Sequence, residues 1–204
     1  MLAVLAANIK PGQRVLDVCA APGGKTAYAA QFAPETLVAA DIHPHRVQLM
    51  QDNFARLGVQ AETRVANAGE YQREWENTFD RVLIDAPCSA LGLLYRKPDI
   101  KCHKEQKEVE ELVPLQRRIL DACAGYVKPG GMLLYSTCTI NRRENQENIQ
   151  WFLKNHKEFS RAHLAALLPA PLMHRAKEDM LQLFPHIDGI DGFFIAALCR
   201  REGA

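Results

Sequence analysis

Short apolar runs alternate with amphipathic stretches along this chain. Val15, Leu16 and Val18 predict a buried strand. Pro22-Gly23-Gly24 then breaks it, because glycine lets the backbone turn sharply and lets a ligand come close. A helix is expected over residues 25–30. Leu37-Val38-Ala39-Ala40 is a second apolar run, closed by Asp41. Val47, Met50, Phe54 and Leu57 recur at helical spacing, and Gly58 closes that segment. Residues 61–67 alternate like a strand, and residues 69–77 read as a polar loop. Residues 79–85, Phe-Asp-Arg-Val-Leu-Ile-Asp, predict a further strand, ended by Ala86-Pro87-Cys88-Ser89.

The second half continues the alternation. Residues 91–108 form a long linking segment rich in charge, and a loop of that length in a compact domain is often functional. Leu112, Leu115, Ile119 and Ala122-Cys123 line one face of a helix expected over 110–127. Lys128-Pro129-Gly130-Gly131 reads as its stop. Residues 132–138 predict a strand, 145–155 a helix with Ile149, Phe152 and Leu153 inward, and 158–164 another strand. Residues 165–183 follow no period and read as irregular. Residues 192–198 form a closing strand, and residues 1–9 the end of a helix. Strands alternating with helices predict an α/β fold with a mostly parallel sheet. The 204 residues fit one domain, with no internal repeat.

Composition changes this picture little. A hydrophobic content of 48% fits a globular protein. Lys plus Arg is 25 against 24 for Asp plus Glu, so the net charge of +1 gives no global case for nucleic acid. RNA binding would have to come from a local patch or another domain. No apolar run approaches the ~20 residues of a membrane span. Residues 1–9 lack the basic flank and cleavage site of a signal peptide. None of the six cysteines forms a C-x-x-C pair, so a zinc ribbon and a metal site are not expected. Reduced thiols in a cytoplasm are expected instead.

The first turn carries the most chemistry. A strand, a glycine turn and a helix start suit a nucleotide-like ligand at the carboxyl end of a sheet strand. A phosphate loop needs G-x-x-x-x-G-K-[ST], but Cys19 stands at its first glycine. A dinucleotide fingerprint needs G-x-G-x-x-G, but Gly23 and Gly24 are adjacent and alone. S-adenosylmethionine carries no phosphate. It needs a close backbone turn and an acid for its ribose, and Asp41 stands where such an acid belongs. An ordinary strand–helix turn is the bland alternative.

Four stretches then combine: D-V-C-A-A-P-G-G-K-T at 17–26, A-D-I-H-P at 40–44, D-A-P-C-S-A-L-G at 85–92 and Y-S-T-C-T at 135–139. With R-K-P-D-I-K at 96–101 and D-G-F-F-I-A at 191–196, the chain resembles the RNA cytosine-5 methyltransferases of the Nol1/Nop2/Sun family. Its bacterial small-subunit rRNA branch is the nearest in pattern, from about Pro11 to Arg201. The resemblance implies a Rossmann-like class I methyltransferase with helices on both faces of a seven-stranded sheet, one strand antiparallel. It implies S-adenosylmethionine along Cys19, Ala20, Ala21, Pro22, Gly23, Gly24 and Lys25, with Asp41 on the ribose. Asp85 would sit between cofactor and target base. Asn67 stands where the family has a further cofactor acid, and an amide can still donate and accept there. Arg142-Arg143-Glu144-Asn145 lacks the family's usual proline. The upstream RNA-binding region, NusB-like in the nearest members, is not expected within residues 1–204, and a monomer is expected.

C5 of cytosine is a poor nucleophile. A thiolate that adds to C6 makes C5 reactive, which is covalent catalysis. Cys88 and Cys138 both follow strand ends and would face the ligand crevice. Cys123 and Cys199 read as small buried hydrophobes. The residues leave open which of Cys88 and Cys138 attacks. By the resemblance, Cys138 attacks and Cys88 assists proton removal or product release. Arg96, Lys97, Lys101 and Lys104 are candidate phosphate contacts; a solvated face is their alternative. Two rival functions stand beside this reading. One is a small-molecule or protein methyltransferase, which leaves both strand-end cysteines idle. The other is a module that binds RNA or a partner without turnover.

Overall fold

A computed structural model describes residues 1–98 and 106–203, and side chains 106–109 are outside that description. Lys101, Lys104 and Cys102 therefore lie outside the described residues. The strands are β1 (Arg14–Val18), β2 (Thr36–Asp41), β3 (Glu62–Val65), β4 (Phe79–Asp85), β5 (Val127–Thr137), β6 (Phe159–Arg161), β7 (Met180–Leu183) and β8 (Phe193–Arg200). The helices are α1 (Leu2–Ala6), α2 (Gly24–Ala29), α3 (Pro44–Leu57), α4 (Gln106–Ala124), α5 (Gln146–Asn155), α6 (Ala170–Met173) and α7 (Pro185–Asp188). None of these helices is long and apolar enough to cross a membrane.

The sheet runs β3-β2-β1-β4-β5-β8-β6, with β7 also paired to β8. It holds eight strands rather than the expected seven. The seventh column is split: β6 pairs with Leu198–Arg200 and β7 with Phe193–Ala196, end to end on the same margin of β8. Pairings among β1 to β5 are parallel, and β8 runs antiparallel to β5, β6 and β7. One strand thus points against the rest, as expected.

Strand alternation builds two cores. Leu16, Val18, Val82, Ile84, Leu133 and Tyr135 face one side, where Ile119, Leu120 and Cys123 of α4 and Ile149 and Phe152 of α5 cover them. Val15, Leu83, Met132, Leu134 and Ile195 face the other, covered by Ala3, Val4 and Ala6 of α1 and Ala29 of α2. Met50 and Phe54 of α3 pack on Ala39. Both faces are covered, which is why these strands read as continuous apolar runs.

Four features differ from expectation. The stretch Lys128-Pro129-Gly130-Gly131 lies inside β5, where the pairing jumps from Phe79↔Val127 to Arg81↔Met132. Gly130 takes φ +76° there, so the proline-glycine signal marks a bulge and not a break between elements. The preceding helix accordingly ends at Ala124, before the expected 127. β7 lies inside the stretch read as irregular; at four residues it is too short to show a period. The polar loop at 69–77 holds one helical turn, Arg73–Trp75, that buries Trp75 against Phe79 and Tyr126.

Candidate active site at the carboxyl edge of the sheet

Chain order reverses between β1 and β4, and this switch point opens a crevice at the carboxyl ends of the strands. Asp17 and Cys19 come from β1 and its turn, Asp41 from the end of β2, Asp85 from the end of β4, and Cys138 from the residue after β5. Lys25 of α2 reaches across the crevice, with Nζ 2.5 Å from Asp85 Oδ2. The Ser136 hydroxyl donates to Asp85 Oδ1 at 3.0 Å.

The turn after β1 is shaped by Gly23. Its φ is +96°, and a Cβ there would stand 2.7 Å from the Phe54 ring. Only glycine satisfies both constraints. Asp41 is buried, and its two carboxylate oxygens have separate partners. His43 N–H donates to Oδ1 at 3.1 Å, and the Arg46 guanidinium stands 3.3 Å from Oδ2. Arg46 also donates to the Ala21 carbonyl at 2.8 Å, so it joins the acid to the turn. Sequence reasoning missed Arg46; its only signal is its place five residues beyond Asp41. Asn67 is held in its own loop, accepting from Gly69 N–H and donating to Glu70 Oε1.

Asp17 is fully buried under the turn. Thr26 Oγ1 donates to its Oδ2 at 2.6 Å, while its Oδ1 has no partner among the described residues. Burial pushes this carboxyl up to about 7. Burial, with Asp41, Asp17 and Asp85 nearby, pushes the Cys19 thiol up to about 12, which removes it as a nucleophile near neutral pH.

The two strand-end cysteines meet. Cys88 and Cys138 are both reduced and their sulfurs stand 3.3 Å apart. Cys138 is held below the ordinary thiol range, chiefly by the hydrogen bond it shares with Cys88. The same contact, together with burial, pushes Cys88 far up. The two sulfurs act as one unit, and their geometry lets either one donate. Cys123 is buried in the core, and Cys199 packs against the opposite core.

Gly92, the last residue of the D-A-P-C-S-A-L-G stretch, seats the second cysteine. Its N–H donates to the Cys138 carbonyl at 3.0 Å, and its own carbonyl accepts from Gly192 at 2.9 Å. Arg96 stands beside this junction, 3.0 Å from Asp191 and largely exposed. Lys97 is exposed. Sequence reasoning also missed Glu144, which is fully buried and accepts from Ser89, Gln116 and Thr139.

The family of 16S rRNA methyltransferases RsmB/F matches residues 4–199. The ribosomal RNA small subunit methyltransferase B of Photorhabdus laumondii is 42% identical over 200 residues, 95% of this chain and 44% of that protein. The probable ribosomal RNA small subunit methyltransferase B of Bacillus subtilis is 41% identical over 211 residues, 100% of this chain and 46% of that protein. The chain thus spans a little under half the length of these curated relatives. The crystal structure of NSun6 from Pyrococcus horikoshii with SFG superposes with a TM-score of 0.81 at 28% identity, over 98% of this chain and 52% of that one. With a match along almost its whole length, the protein belongs to the RsmB/F family of 16S rRNA methyltransferases.

Proposed function

We propose that this chain methylates C5 of a cytidine in RNA, of the small ribosomal subunit, using S-adenosylmethionine and a covalent bond from Cys138 to C6 of the base. The observation that carries the reading is the 3.3 Å contact of Cys88 and Cys138 beside Asp85. A small-molecule methyltransferase has no use for that pair.

The crevice suits the cofactor. S-adenosylmethionine is cationic at its ammonium and sulfonium. Asp17, Asp41 and Asp85 all act on the turn at Cys19, and Asp17 Oδ1 lacks a partner among the described residues. Asp41 and Asp85 favour such a cation over a phosphate, while Asp17, pushed up to about 7, adds only part of a charge. The turn from Cys19 to Lys25 would hold it, with Asp41 on the ribose and Asn67 on the adenine side. When bound, the cofactor supplies an electrophilic methyl group.

The chain's own residues do the rest. The Cys138 thiolate forms a bond to C6, and the C5–C6 π pair shifts to C5. Asp85, held by Lys25 and Ser136, accepts hydrogen bonds from the base's Watson–Crick edge and favours its protonated form. After C5 has taken the methyl carbon, its proton leaves to a base; Cys88 serves as that base only as a thiolate, once it has released its own proton to solvent after Cys138 has bonded to C6. The pair left by that proton restores the double bond as the C6–S bond breaks, returning thiolate to Cys138. The target base must leave any stack to meet these sulfurs. Arg96, Lys97, Lys101 and Lys104 are the proposed phosphate contacts. Labelled methyl transfer to RNA, followed by nucleoside analysis, tests the reading. The label is expected in 5-methylcytidine; label in another nucleoside, or in protein, overturns it.

A further inference from the structure

The Glu144 carboxylate has no ion pair among the described residues, although it is fully removed from water. A buried charge persists only where hydrogen bonds replace its hydration. The donors here are specific. Oε2 accepts from Ser89 N–H at 2.8 Å and from Gln116 Nε2 at 2.9 Å. Oε1 accepts from Ser89 Oγ at 2.5 Å and from Thr139 Oγ1 at 3.4 Å. Ser89 follows Cys88 and Thr139 follows Cys138, and their hydroxyls stand 2.7 Å apart. Gln116 gives its other amide hydrogen to the Pro87 carbonyl, just before Cys88, at 2.9 Å.

We propose that Glu144 is a positioning residue for the cysteine pair. Its carboxylate ties the segment around Cys88 to the segment after Cys138, and so sets the two sulfurs at hydrogen-bonding distance. The inference rests on the two-cysteine reading above and deepens it. Glu144 touches neither sulfur, so it acts through Ser89, Thr139 and Gln116. Removing the carboxylate would also leave the Ser89 and Gln116 donors buried without an acceptor, so the test reads the sulfurs as well as stability. The anchor is itself fixed, because its carbonyl accepts from the Tyr135 hydroxyl at 2.8 Å and from Asn148 at 3.1 Å.

The test is Glu144→Gln, which keeps the size but presents an amide N–H₂ to groups that also donate. Two quantities are read: the pH profile of Cys138 alkylation by iodoacetamide, mapped by mass spectrometry, and single-turnover methyl transfer to RNA. The groups that face Cys138 are Cys88 and Asp85 from the β4 end, and Lys25 from α2. Tyr135 on β5 lies beside Cys88 and Glu144. All are unchanged in the variant, so a moved profile reports the sulfur pair. The alkylation midpoint is expected to rise by about one pH unit. Transfer should slow roughly a hundredfold, as for a misplaced reacting group, with the KM for S-adenosylmethionine within about twofold. A folded variant with an unmoved profile overturns the inference, even if its melting temperature drops. Should Glu144→Gln not fold, Ser89→Ala removes one tie and keeps the backbone N–H. It should move the midpoint in the same direction, and an unmoved midpoint there also overturns the inference. Failure of the two-cysteine reading shows elsewhere, as wild-type turnover in Cys138→Ala.

Discussion

The N–H of Gly92 donates a 3.0 Å hydrogen bond to the carbonyl of Cys138. The glycine of one motif thus fixes the backbone of the cysteine in another, 46 residues later.

That relationship makes Gly92 irreplaceable. A Cβ there would lie 2.3 Å from the Gly192 carbonyl oxygen and 2.7 Å from that of Cys138, both backbone atoms. Gly92→Ala is expected to cost about 1–3 kcal/mol through overpacking. Urea unfolding measures that cost. Methyl transfer should fall further than the lost stability alone explains, since Cys138 moves with its carbonyl.

The cysteine pair gives a sharper separation. Cys138→Ala removes the attacking sulfur, so neither methylated RNA nor a covalent adduct should form. Cys88→Ala leaves the attack possible and slows release, so it should accumulate a denaturant-resistant protein–RNA adduct on a gel. Reversed results would assign the attack to Cys88. Wild-type rates in both variants would end the covalent mechanism.

Asp17 predicts a pH dependence of stability. Its carboxyl is pushed from 3.8 up to about 7 by burial, so the folded chain holds that proton more tightly than the unfolded chain. Its contribution is therefore full below about pH 4, declines as pH rises to about 7, and is level above. Asp17→Asn removes the group and can still accept from Thr26. At pH 8 the variant should be more stable than wild type by up to roughly 4 kcal/mol. At pH 4 the gap should close. Equal gaps at both pH values in urea unfolding would contradict the assignment.

Arg46 predicts an effect on the cofactor without a contact to it. It pairs with Asp41 and holds the Ala21 carbonyl, and its side chain is partly exposed. Asp41→Ala should weaken S-adenosylmethionine binding through lost ribose hydrogen bonds. Arg46→Ala should weaken it by about tenfold, allowing for solvent screening of the pair. Calorimetry reads both, and unaltered affinity in Asp41→Ala would remove the ribose from that acid.

Several of these residues are legible in the chain because local chemistry marks them. Val15-Leu16 with Gly23-Gly24 announces a strand and turn, and Asp41 and Asp85 close apolar runs. Cys88 and Cys138 follow strand ends, which is enough to send both to one sheet edge. Their meeting is not legible, since 50 residues separate them and β4–β5 pairing brings them together. Glu144 hides for a different reason. In Arg142-Arg143-Glu144-Asn145 no local signal marks a core position, yet Glu144 and Asn145 are both fully buried on tertiary hydrogen bonds. Pro129-Gly130-Gly131 misleads because a bulge and a helix stop use the same residues. β7 escapes because its four residues owe their strand conformation to β8.

The split column on β8 bears on how copies of this chain meet one another. An exposed, long strand edge is a template on which a second molecule can add its own strand. Among the described residues, the sheet ends on that side in strands of three and four residues, β6 and β7. On the opposite side it ends in the four-residue β3, where Glu62 pairs with Arg64. Neither margin offers a run long or apolar enough to seed aggregation, so an eight-stranded sheet can stay open at both ends.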